Sequence, residues 1–194
     1  MIAKPSIIVT SLGRTGTKFF QFLFDRIVHD GTSVHEPDVF NIIQYAGWGK
    51  RIEQVFQQLG QSGAHNLLLR KAVGRWSLVK LSDARVCQGL RYDHAVEQVV
   101  RQREKFVAVQ DGSIYIEANA GYYGLVDVLS DVYRHHRVAY IVRDGRDWVR
   151  SNMNWGQMYG KGRFRSLIAH TWPIAPEIEG DPYQAKWKSM SRFE

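Results

Sequence analysis

The stretch "TSLGRTGTKFF" (residues 10–20) joins the β-branched run "SIIVT" to an apolar, amphipathic segment. Gly13 and Gly16 let a backbone turn sharply and approach a ligand closely. From Thr17 the pattern is helical: Phe20, Leu23, Phe24, Ile27 and Val28 recur at i, i+3, i+4, i+7 and i+8, and Phe19 and Phe22 widen the stripe over residues 17–29. Strand, glycine loop and helix in this order gather backbone N–H groups and the positive end of a helix dipole into one concavity, which favours an anion. Arg14, Thr15, Thr17 and Lys18 add charge and hydroxyl donors. The plainer alternative is an ordinary glycine-containing turn with a solvated arginine. The ATP and GTP loop requires G-x-x-x-x-G-K-[ST]. Here Thr17 follows Gly16, Lys18 comes one place late, and Ser11 stands at the first glycine position. The dinucleotide fingerprint G-x-G-x-x-G is also missing.

The rest of the chain alternates in the same way. "TSVHEP" (residues 32–37) reads as a short strand ended by Pro37. Ile52, Val55, Phe56 and Leu59 mark a helix, and Asp93 is a cap for another that carries Ala95, Val96, Val99 and Val100. "KFVAVQDGS" (residues 105–113) reads as a strand and turn. Tyr122, Leu125, Val126, Leu129 and Tyr133 mark a further helix. "RVAYIVRDGRD" (residues 137–147) is a strand, a turn and the start of a helix reaching about residue 154. Alternating strands and helices predict an α/β fold, a three-layer sandwich with a central parallel sheet. Ligands bind such sheets at the carboxyl ends of the strands. The glycine loop, "HEP" and "RDGRD" all fall there.

The chain has 194 residues and no repeat or linker, so one domain over 1–194 is expected. Apolar residues make up 44%, which argues against disorder, and no run is long enough to span a bilayer. Cys87 is the only cysteine, which suits a reducing cytoplasm, and no metal-ligand spacing occurs. Eight basic and two acidic residues fall within residues 134–165. An anionic ligand explains that cluster, as does a solvated basic face. No nucleic-acid-binding pattern accompanies it.

Taken together, "GRTGT" and "IVRDGRDWVRS" (residues 141–151) resemble two signatures of one family, the sulfotransferases that use 3′-phosphoadenosine 5′-phosphosulfate (PAPS). The first is similar to the family's 5′-phosphosulfate loop, written PKSGTT or GRSGTT. The second is similar to its 3′-phosphate motif, an Arg at a strand end with a Ser eight residues on, which Arg143 and Ser151 match. The resemblance implies a P-loop NTPase-like fold. It also implies PAPS as donor and 3′-phosphoadenosine 5′-phosphate (PAP) as product, with no metal. Gly13, Arg14, Thr15, Gly16, Thr17, Lys18, Arg143 and Ser151 would bind the cofactor. Arg14 stands at the family's catalytic Lys position, and because arginine gives up a proton less readily its role there would be electrostatic. Lys18 departs from the family, replacing a second Thr.

Sulfuryl transfer also needs a base for the acceptor hydroxyl. Several members of the family carry a Glu-Pro after the second strand, which points to Glu36, with Pro37 stiffening the turn. His35 is the rival, since imidazole titrates near neutral pH. Strict alternation would turn the two to opposite faces. The plainer alternative is that one or both cap a helix at residues 38–45. "IEANAGYYG" (residues 116–124) is weakly similar to a family segment, so Glu117 and Asn119 are candidates for acceptor or nucleotide contact, with a helix cap the alternative for Asn119. Trp155, Tyr159 and "KGRFR" (residues 161–165) form a candidate lid. Relatives continue with a further strand, and nothing here resembles its usual "Y-x-D-L" segment, which leaves two readings: a product truncated or a chain incomplete at the C-terminal side, or a whole protein whose adenine side is open or completed by another subunit. A small-molecule, carbohydrate or lipid acceptor is implied, with no nucleic acid and no membrane span. Two other classes stay open: a nucleotide or small-molecule kinase using ATP and Mg²⁺, and a non-catalytic anion- or nucleic-acid-binding protein.

Overall fold

The computed structural model describes residues 1–13, 15–37, 78–87, 89–154 and 182, with backbone only for 152–154. Four strands, β1 (Ser6–Ser11), β2 (Gly31–His35), β3 (Ile114–Ala118) and β4 (His136–Ile141), form an all-parallel sheet in the order β2-β3-β1-β4. Five α-helices accompany them among the described residues: α1 (Thr17–Ile27), α2 (Leu78–Cys87), α3 (Tyr92–Ala108), α4 (Leu129–Val132) and α5 (Gly145–Asn154).

The register defines two faces. Ser6 aligns with Tyr115 and His136, and Tyr115 with Thr32. Side chains alternate along each strand. Ile8, Tyr115, Val34 and Val138 therefore share one face, where they pack with Leu78, Leu81, Ala95, Val99, Phe106 and Leu129 from α2, α3 and α4. Complete burial of one such aliphatic side chain contributes about 1.5–3 kcal/mol. The other face carries α1, tied to β2 by Gln21 Nε2 donating to the Ser33 carbonyl at 3.3 Å and Ser33 Oγ donating to the Gln21 carbonyl at 3.0 Å. The chain steps away from β1 to reach β2, then back across it. Right-handed crossovers put helices of opposite steps on opposite faces, which yields the expected three layers.

β1, α1, β2, β4 and α5 stand where the sequence pattern places them. The segment 105–113 differs. Its first four residues end α3, and the strand starts only at Ile114. The buried positions of α3 are Ala95, Gln98, Val99, Gln102, Arg103, Phe106 and Val107, an unbroken i, i+3, i+4, i+7 series. Three of these are polar or charged, so the apolar pattern lapses at residue 100 while the helix continues. Asp93 lies in the first turn of α3, and Arg91 occupies the cap position. Residues 120–133 make two short 3₁₀ turns (Ala120–Tyr122 and Val126–Val128) before α4, rather than one helix. At Gly121, within the first turn, and Gly124, between the two, α2 passes too close for a side chain: a Cβ on Gly124 would lie 2.7 Å from the Ser82 carbonyl oxygen. The expected helix around Ile52 to Leu59, the possible cap at residues 38–45 and the lid at 155–165 lie outside the described residues. No described helix is long and apolar enough to cross a membrane.

Candidate functional site

All four strands run the same way, so their exits meet at one edge of the sheet. Ser11 aligns with Ile141, and His35 with Ala118. The loop after β1 thus neighbours the 142–144 turn after β4 on one side and Asn119 after β3 on the other.

The loop has the backbone its glycines allow. Gly13 has φ 80° and Gly16 φ 93°, left-handed values that strain any other residue, and open space surrounds the position of a Cβ at each. Gly16 is the N-cap of α1. It supplies no side-chain acceptor, and no acidic residue follows in the first turn. The first intrahelical bonds run from Phe19 and Phe20 to the Gly16 carbonyl, at 2.9 and 3.4 Å. The N–H groups ahead of Phe19 have no intrahelical acceptor. Gly13 is the exception to the expected row of outward amides: its N–H donates to Ser11 Oγ at 3.1 Å. The Thr15 hydroxyl oxygen is buried without a hydrogen-bond partner. Arg14 lies outside the described residues.

The two predicted phosphate motifs are physically joined. Trp148 of α5 donates its indole N–H to the Gly13 carbonyl at 3.1 Å. Ser151 lies three residues further along α5, on the same helix face as Trp148, and is partly buried. Arg143 leaves β4 two residues past Ile141 and is exposed. Asp144 caps α5, its Oδ1 accepting the Arg146 N–H at 2.9 Å and its two oxygens the Arg146 guanidinium at 3.2 and 3.1 Å. The Arg146 side chain holds the Asp144 carboxyl below its usual range. Asp147 pairs with Arg150 at 3.3 Å. Among the described residues, the N-terminus of α5 is therefore capped by a carboxylate, and that of α1 is not.

His35 ends β2, and Glu36 follows it outside the strand. His35 faces α1, with Nε2 3.1 Å from Thr17 Oγ1. Burial, with Lys18 adding to it, holds the imidazole pKa below its ordinary value of 6.5. Glu36 is the one described non-glycine residue at positive φ, 41°. Its N–H donates to the Ala118 carbonyl at 3.1 Å, the last bond before β2 leaves the sheet. A side chain held in the left-handed region stores strain, of order 1–3 kcal/mol, that its surroundings must sustain.

Glu117 and Asn119 do not face a ligand. Glu117 is fully buried and accepts five hydrogen bonds. Arg103 donates two of them, at 2.8 and 2.7 Å. The Tyr115 and Tyr122 hydroxyls give two more, at 2.6 and 3.1 Å, and the Asn119 amide one at 2.8 Å. Burial pushes both phenols well above their ordinary range, so they stay protonated donors. Asn119 Oδ1 accepts the Gly121 N–H at 2.8 Å and caps the 3₁₀ turn. The acceptor role considered for this pair gives way to a structural one, because every Glu117 lone pair is already engaged inside the core. Arg103, its partner, escaped the sequence reading. The signal was its place on the buried stripe, four residues after Val99.

Compared with family models, curated proteins and solved structures, the chain matches none.

Proposed function

We propose that this protein is a sulfotransferase that moves the sulfuryl group of PAPS to a hydroxyl or amine of a small-molecule, carbohydrate or lipid acceptor, on a P-loop NTPase-like scaffold. The observation that carries this reading is the Trp148–Gly13 hydrogen bond. It fastens the 143–151 segment to the 11–18 loop, so the two segments that resemble phosphate motifs lie on adjacent strands, as one nucleotide phosphorylated at both ends would require. The residues fit such a ligand. The uncapped N-terminus of α1, the Thr17 hydroxyl and Lys18 would hold the 5′ side, and Arg143 and Ser151 the 3′-phosphate.

Bound PAPS would supply an activated sulfuryl group with a phosphate as leaving group. The loop's donors favour negative charge growing on that phosphate, and being fixed in place they need little reorganisation. Arg14 would add charge at the same end. Glu36, at the exit of β2 on the same edge of the sheet, would accept the proton from the acceptor hydroxyl. Its positive φ is the kind of local strain that collects at functional positions.

A thermal-shift comparison tests the reading. PAP at about one hundred times its dissociation constant should stabilise the fold by about 2.7 kcal/mol and raise the midpoint measurably. A shift with ATP–Mg²⁺ and none with PAP would replace this reading by the kinase. A response to neither would favour the non-catalytic alternative.

A further inference from the structure

We propose that His35 is a positioning residue for the glycine loop: its Nε2–H donates to Thr17 Oγ1 and thereby turns the Thr17 hydroxyl proton toward a bound phosphate oxygen, so that Nε2 is not a proton acceptor in the reaction. The inference rests on the nucleotide-binding reading of the loop.

The contact is built into the packing of α1 on β2. Gln21 and Ser33 exchange two hydrogen bonds across this interface. Thr17 lies four residues before Gln21, and His35 two residues after Ser33. Four helical residues rise about 6 Å and two strand residues about 6.6 Å. The steps match, so the Thr17–His35 contact continues the same seam at its open end. The seam places Thr17 Oγ1 beside the uncapped first turn of α1, where an anion would sit.

Hydrogen-bond arithmetic then decides the direction. A hydroxyl has one proton to donate and two lone pairs to accept with. A phosphate oxygen without a proton can only accept, so a Thr17 hydroxyl bound to it spends its proton there. His35 Nε2, 3.1 Å from the same oxygen, must then be the donor. Burial lowers the pKa of the ring from its ordinary value of 6.5 and so favours the neutral form, in which one nitrogen carries the proton and the other does not. With the proton on Nε2 committed to Thr17, that atom has no lone pair for an acceptor hydroxyl. A purely structural contact, like the Gln21–Ser33 pair lower in the seam, would leave the tautomer indifferent to ligand.

Two measurements on the intact chain test this. The first follows backbone amides and imidazole nitrogens by ¹⁵N correlation spectroscopy during titration with PAP. The Gly16 and Thr17 amides should move, and His35 should carry its proton on Nε2 at saturation. Moving amides with the proton on Nδ1 would overturn the positioning role and leave the binding reading intact. Amides that do not respond would overturn both. The second is a double-mutant cycle read by calorimetric PAP affinity. His35→Ala and Thr17→Val should each weaken binding about tenfold, the worth of one hydrogen bond to a charged group's donor. Together they should cost little more than either alone. His35→Gln, whose amide N–H reaches in the same direction, should recover affinity to within about threefold. Additive losses, or a His35→Gln protein as weak as His35→Ala, would refute the assignment.

Discussion

Two glutamates leave adjacent strands at the same edge of the sheet and end in opposite situations. Glu117, at the end of β3, is fully buried and accepts five hydrogen bonds. Glu36, just past β2, is partly exposed and sits at φ 41°. The first is held where its charge is matched on all sides. The second is held in a backbone conformation that its own chemistry disfavours. An acidic residue at a strand exit reads the same way in either sequence context. What separates these two carboxylates is whether the fold closes around them.

The largest effect should come from opening the closed site. Glu117→Ala leaves the Arg103 guanidinium buried without its partner, which should cost about 3–5 kcal/mol in urea unfolding. A loss below about 1 kcal/mol would mean that the cluster is not the anchor its geometry implies. The open site should respond in the reverse sense. Glu36→Gln should reduce sulfuryl transfer from labelled PAPS about 100-fold or more, with PAP affinity nearly unchanged. Glu36→Gly should remove transfer as well, yet raise stability by about 1 kcal/mol by relieving the positive φ. Transfer that survives in Glu36→Gln would move the base elsewhere and erase the contrast.

Arg143→Ala should bring the affinities for PAP and adenosine 5′-phosphate to within about threefold of each other, because the 3′-phosphate then lacks its charged partner. A preference that persists would assign the 3′-phosphate to another cation. The smallest effect is a slope with pH. The folded pKa of His35 lies below the unfolded value of 6.5, so between the two the unfolded chain binds more protons. Its contribution to stability is complete above pH 6.5 and is lost as pH falls toward the lowered value. That part of the acid limb should be absent from His35→Gln in midpoint measurements across pH 5 to about 7.5.

Much of the fold could be read from local signals. β1 and α1 announce themselves by a β-branched run and an apolar stripe joined by a glycine loop. β4 and α5 do the same around "RDGRD", and the alternation of elements is enough to bring these loops to one edge. The α3–β3 boundary was hidden because Gln98, Gln102 and Arg103 take buried positions that an apolar pattern leaves blank. Their burial depends on Glu117 and the tyrosines around it, which only the folded chain brings together. The site divides in the same way. Gly13, Gly16 and Thr17 carry their meaning in sequence. The Trp148–Gly13 and Thr17–His35 contacts join residues 135 and 18 positions apart, and no local pattern signals either. Both follow from strand order and register, which are properties of the assembled sheet.

The most direct test of the central claim is calorimetric titration of the unmodified protein with PAP and, separately, with adenosine 5′-phosphate. The two ligands differ only in the 3′-phosphate. A loop joined through Trp148 to a second phosphate site predicts that PAP binds about 10- to 100-fold more tightly, the worth of one charge-assisted phosphate contact. Equal affinities would contradict the account, leaving a single phosphate cradle after β1 and no 3′-phosphate site beside it.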